Sequence, residues 1–169
     1  MFTPFLSQSP LDTQRAGERL GRLARPATVI GLSGELGSGK TVFVRGLARG
    51  FLGEHAPLVT SPTFVLLRVY SAGGRTVHHL DAYRLQGAED FRSAGLEDCF
   101  SDSEALTCIE WPERVAQALP RERLEIRFEH LGPNQRLISA AHSCPAMCAL
   151  AENWASQLAS TSRRKDETA

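Results

Sequence analysis

Gly34-Glu35-Leu36-Gly37-Ser38-Gly39-Lys40-Thr41 is the stretch that decides the fold. It matches G-x-x-x-x-G-K-[ST], the pattern of a loop that wraps a polyphosphate. Such a loop must turn its backbone N–H groups inward, which requires glycine where φ is positive or where phosphate comes close. The helix that follows presents the positive end of its dipole to the same phosphates. Lys40 can then reach the β- and γ-phosphates and the Thr41 hydroxyl can ligate Mg²⁺. The backbone from Glu35 through Leu36, Gly37, Ser38 and Gly39 to Lys40 and Thr41 is the expected nucleotide cradle.

The flanks supply the context that this loop needs. Residues 28–32 are β-branched and aliphatic, which reads as a buried strand, and 40–51 has the spacing of a helix bracketed by Gly50 and Gly53. Upstream, 11–24 has helical periodicity with Asp12 or Thr13 as N-cap, and Pro26 stops it. Downstream, 64–70 and 76–80 are strand-like around a glycine-containing loop, a hairpin signal. A short helix at 88–94 closes on Gly95, the apolar run 106–109 ends in Glu110, and Pro112 opens a helix to about 119. Residues 124–130 and 136–141 form a second hairpin, 145–158 a final amphipathic helix, and 161–169 a polar tail expected to be disordered. The expectation is an α/β fold, a P-loop NTPase whose mixed central sheet is flanked by helices, in one domain over 1–160.

Composition narrows the function. The 169 residues carry 19 basic and 19 acidic side chains, so no net field attracts nucleic acid or an anionic membrane. Lys40 and Lys165 are the only lysines, so arginine serves almost everywhere else that a positive charge is used. The lysine of the loop stands where a compact ammonium on a flexible stem is chemically wanted. No signal peptide opens the chain and no apolar stretch is long enough to cross a bilayer. Cys99, Cys108, Cys144 and Cys148 read as reduced thiols of a cytoplasmic protein.

A nucleotide-hydrolysing loop needs a carboxylate at the end of a neighbouring strand to hold the metal. Asp81, after His78-His79-Leu80, and Glu110, after Leu106-Thr107-Cys108-Ile109, both qualify. Each has a competing role, a solvated strand end for Asp81 and a cap of the next helix for Glu110. His79, on the same strand face as Asp81, reads as structural. Thr60-Ser61-Pro62-Thr63 is either a switch-like loop that senses phosphate or an ordinary Ser/Thr-Pro turn. No Asn-Lys-x-Asp segment is present, which removes guanine specificity. A small-molecule or nucleotide kinase remains the alternative, with Arg121 and Arg123 as lid arginines.

Four segments together carry a more specific signal: the glycine loop, Thr60-Ser61-Pro62-Thr63-Phe64, His79-Leu80-Asp81-Ala82-Tyr83-Arg84-Leu85 and Ile109-Glu110-Trp111-Pro112. In this order and spacing they resemble the TsaE (YjeE) family of bacterial tRNA threonylcarbamoyladenosine biosynthesis ATPases, over roughly 11–158. The resemblance implies weak, partner-stimulated ATP hydrolysis with Mg²⁺. It implies TsaD and TsaB as partners, a modified adenosine next to the tRNA anticodon, and contact with tRNA only through the complex. In the family's pattern Thr41 and Glu110 hold Mg²⁺, Lys40 binds phosphate and Asp81 positions or activates the attacking water. Thr13 and Arg136 fall where the family has nucleotide contacts. Ser38 stands where alanine is common.

Overall fold

The aliphatic run after Pro26 becomes a buried strand, and six more strands join it. In the computed structural model, which describes residues 4–142 and 144–166, the strands are β1 (Phe5–Ser7), β2 (Val29–Ser33), β3 (Leu67–Ala72), β4 (Arg75–Asp81), β5 (Ala105–Glu110), β6 (Leu124–His130) and β7 (Arg136–His142). The helices are α1 (Pro10–Leu23), α2 (Lys40–Leu52), α3 (Ala88–Ser93) and α4 (Pro145–Asp166), with 3₁₀ segments at Leu96–Phe100 and Pro112–Ala118. One sheet runs β1-β7-β6-β2-β5-β4-β3. β6, β2, β5 and β4 are parallel, and the outer pairs β1–β7, β6–β7 and β3–β4 are antiparallel. The mixed α/β sheet expected from the sequence is therefore the one that forms.

Alternation along the central strands sends side chains into two cores. On one face Ile30, Leu32, Leu106, Cys108, Leu124 and Ile126 pack beneath α1, α2 and α4. On the other, Val29, Leu80 and Ile109 meet Phe91, Leu96 and Val115. Trp154 ties α4 down: its indole donates to the Ala16 carbonyl at 2.8 Å, and its ring meets Phe43 edge-on at 5.9 Å.

α1 and α2 approach so closely that glycines on both are obligatory at the contact. A Cβ on Gly46 would lie 1.8 Å from the Gln14 carbonyl oxygen, and one on Gly21 2.1 Å from that of Leu47. The apposed helices hold the glycine loop's trailing helix against the sheet.

Several expectations need correction. Ser9, and neither Asp12 nor Thr13, caps α1; its hydroxyl accepts the Asp12 N–H at 3.1 Å, with Pro10 supplying the first helical φ. The strand expected at 64–70 starts only at Leu67, because 62–66 turn on bonds from the Val65 and Leu66 N–H groups to the Pro62 carbonyl, and Leu66 has φ 65°. The helix after Pro112 is 3₁₀ and breaks at Val115, whose φ of −130° is not helical. α4 runs to Asp166, into the segment expected to be disordered, since 159–166 contain neither glycine nor proline to stop it. Residues 167–169 of that segment lie outside those described.

Candidate nucleotide-binding site

The glycine loop leaves the C-terminal end of β2, the middle strand of seven; the adjacent β5 and, beyond it, the parallel β4 end on the same side of the sheet. Open α/β sheets bind their ligands along this edge. Gly34, Gly37 and Gly39 all take positive φ (146°, 77° and 102°), as the motif requires. A Cβ on Gly34 would also stand 2.7 Å from the Phe128 carbonyl oxygen. Gly39 caps α2 without a side-chain bond, so the first-turn N–H groups keep their capacity for an anion. Ser38 Oγ is buried and has no hydrogen-bond partner among the described residues.

Lys40 is folded back on its own loop. Its ammonium donates to the carbonyls of Gly34 at 2.7 Å and Glu35 at 2.9 Å, and stands 4.1 Å from the centroid of the Trp111 ring. Burial pushes its pKa below that of an ordinary lysine, an effect partly offset by the Glu110 and Asp81 carboxylates. Trp111 reaches this position through a left-handed backbone, φ 60° and ψ 48°. A bulky residue adopts that conformation only where its surroundings over-determine it. Here its N–H donates to the Leu32 carbonyl at 3.1 Å and Tyr83 packs on its ring at 5.1 Å.

The two acids converge on the loop. Thr41 Oγ1 donates to Glu110 Oε1 at 2.8 Å across 69 residues of sequence. The same oxygen accepts from His79 Nε2 at 2.9 Å. Glu110 thus does not cap the segment after it, whose cap has no side-chain bond. Asp81 lies opposite Glu110 in the β4–β5 register. Its Oδ1 accepts the Tyr83 N–H at 2.9 Å and its Oδ2 accepts from Thr63 Oγ1 at 2.6 Å. Both carboxylates are buried. A threonine hydroxyl and two carboxylates form the hard-oxygen donor set that suits Mg²⁺, which keeps most of its shell for water and phosphate.

Thr13 and Arg136 border the loop from its other side. A Cβ on Gly39 would lie 3.6 Å from Thr13 Cγ2 and 3.9 Å from Arg136 Nε. Arg136 donates to the Ser38 and Gly37 carbonyls, and Thr13 shares a 2.7 Å hydroxyl contact with Ser7. A crevice of about 500 Å³ opens next to Gly34 and Glu35, bounded by Glu113, Arg127 and Glu129, but Lys40, Thr41, Asp81 and Glu110 do not line it. Of the residues singled out from the sequence as site candidates, Lys40, Thr41, Asp81 and Glu110 thus converge on the loop, and Thr13 and Arg136 border it. Arg123 instead pairs with Glu125 and the Pro120 carbonyl, away from the loop. Trp111, His79 and Thr63 contribute contacts that residue type alone did not assign. For His79 the available signal was its two-residue spacing from Asp81, which shares a strand face with it.

The family model for "Threonylcarbamoyl adenosine biosynthesis protein TsaE" matches residues 7–138. The chain belongs to the TsaE family. A TsaE protein of Treponema pallidum is 43% identical over 136 residues, covering 80% of this chain and 98% of its own. TsaE of Bacillus subtilis is 33% identical over 131 residues, 78% of this chain and 80% of the relative. Both are described as tRNA threonylcarbamoyladenosine biosynthesis proteins. The crystal structure of Bacillus subtilis YdiB superposes with a TM-score of 0.75 at 27% identity, covering 92% of this chain and 95% of that one. The family match takes in the glycine loop, Asp81 and Glu110 together with both flanking elements, α1 and β7 up to Ile138. No helix among the described residues is long and apolar enough to cross a membrane.

Proposed function

We propose that this TsaE-family chain is the Mg²⁺-dependent ATPase of a tRNA-modifying complex, hydrolysing ATP to ADP and phosphate to reset TsaD and TsaB between turnovers. The observation that carries this reading is the 2.8 Å bond between Thr41, the last residue of the phosphate loop, and Glu110 on the adjacent strand. A P-loop protein that only grips a polyanion has no need of a buried carboxylate at that point. A hydrolase needs one, to hold a cation against the phosphate oxygens.

On ATP binding Lys40 would exchange its two carbonyl acceptors for β- and γ-phosphate oxygens, aided by the free N–H groups at the start of α2. Thr41 and Glu110 would hold Mg²⁺. When bound, the cation neutralises charge that builds on the phosphate oxygens. Asp81 would accept a proton-bearing contact from the attacking water, orienting it in line with the γ-phosphate. Thr13 and Arg136 would border the nucleotide beside Gly39. The zero net charge supports contact with tRNA through the complex rather than through this chain's own surface.

The test is ATP hydrolysis by the purified chain with Mg²⁺, alone and with TsaD and TsaB, beside Lys40→Ala. Slow hydrolysis that depends on Lys40 and rises with the partners is expected. Phosphate transfer only to an added small-molecule acceptor would replace this reading with that of a kinase.

A further inference from the structure

The imidazole of His79 is fully buried between the sheet and the start of α2, on the strand face that Cys108 also occupies. It reaches diagonally from β4 to the end of β5, where Nε2 meets Glu110 Oε1 at 2.9 Å. An ionised carboxylate only accepts, so Nε2 carries the proton and donates. Nδ1 has no partner among the described residues, consistent with a ring that holds its single proton on Nε2. Thr41 Oγ1 donates to the same Oε1. Both donors fall on one oxygen, and among the described residues Oε2 accepts from none.

We propose that His79 is the positioning residue that divides the work of the two Glu110 oxygens, anchoring Oε1 so that Oε2 serves the cation. This rests on the ATPase reading above. The two donors are not equivalent. The Thr41 hydroxyl turns about a single bond on a half-buried side chain at the loop mouth. The histidine side chain is fully buried, so it is the donor that holds Oε1 in place. Partners of this kind, which touch a metal ligand rather than the metal, orient the ligand and tune its affinity.

The experiment follows binding of a fluorescent ATP analogue by the full chain as Mg²⁺ is titrated, for the natural protein and for His79→Leu, His79→Gln and His79→Asn. The Gln amide extends far enough to restore a donor near the Nε2 position, whereas the Asn amide stops short. His79→Leu is expected to raise the Mg²⁺ concentration at half-effect about tenfold, with metal-free nucleotide binding unchanged. His79→Gln should recover most of the shift. An unchanged Mg²⁺ dependence in His79→Leu, or a shift in His79→Gln as large as in His79→Leu, overturns the assignment. If His79→Leu does not fold, the comparison passes to the amides: His79→Asn must be shifted and His79→Gln must not, and equal behaviour overturns it. Nucleotide binding by the natural protein that neither Mg²⁺ nor Lys40→Ala alters would remove the ATPase reading itself, and this inference with it.

Discussion

Thr63 Oγ1 donates a 2.6 Å hydrogen bond to Asp81 Oδ2, joining the Ser-Pro-Thr loop to the acid at the end of β4. Ser61 Oγ lies 2.7 Å from the same threonine hydroxyl, so the loop is linked to the site through a short polar chain. A bond to a charged acceptor contributes about 1.5–3 kcal/mol, and much of that would appear in the barrier if Asp81 orients water. Thr63→Val keeps the side-chain shape and removes the hydroxyl. Steady-state hydrolysis should show kcat reduced by about tenfold with little change in KM. An unaltered kcat would mean the contact only shapes a turn.

Lys40 sets a pH dependence. Its folded-state pKa is lowered by burial, so the protonated form costs stability in the free protein, and that cost is relieved as pH rises through the lowered pKa. Nucleotide phosphate favours the protonated form. ATP affinity should therefore weaken as pH climbs through the lowered pKa, before an ordinary lysine at about 10.4 would titrate. Titrating nucleotide affinity from neutral to alkaline pH checks this, with Lys40→Arg expected to flatten the curve. A profile that stays flat for the natural protein until the ordinary lysine range would contradict the role of burial.

Trp111 should report nucleotide binding. The ammonium 4.1 Å from its ring centroid must leave when phosphate draws Lys40 away from the Gly34 and Glu35 carbonyls. Trp154, the only other tryptophan, is buried against Ala16 and Phe43. In Trp154→Phe the emission that remains is that of Trp111, and saturating ATP should change its intensity. Identical spectra with and without bound ATP, confirmed by calorimetry, would show that Lys40 stays on the ring.

Gly46→Ala should destabilise the protein even though alanine favours helix over glycine by about 1 kcal/mol. The added methyl meets the Gln14 carbonyl at 1.8 Å, and backbone cannot move aside as a flexible side chain can. Overpacking of this kind costs about 1–3 kcal/mol beyond the propensity gain, enough to lower the melting temperature by several degrees. Gly132→Ala, whose nearest neighbour would be 3.6 Å away, is the control that should melt close to the natural protein. Equal melting of the two variants would refute the close-packing account.

By itself the sequence determined the glycine loop, the strand before it and the helix after it. Gly34, Gly37, Gly39 and Lys40 are demanded by local backbone geometry and phosphate chemistry, which leave a pattern readable in consecutive residues. It also indicated Asp81 and Glu110, because an acid ending an apolar run is a local feature, and the four segments together pointed to the family later found by comparison. Tertiary structure decided the rest. Whether Glu110 caps a helix or faces the loop depends on β5 lying beside β2, a pairing between residues far apart in the chain. The left-handed turn at Trp111, the orientation of His79 and the docking of Thr63 on Asp81 depend in the same way on what packs around each residue. Hydrogen bonds and packing contacts across strands have no signature in neighbouring residues, so only the folded sheet could settle them.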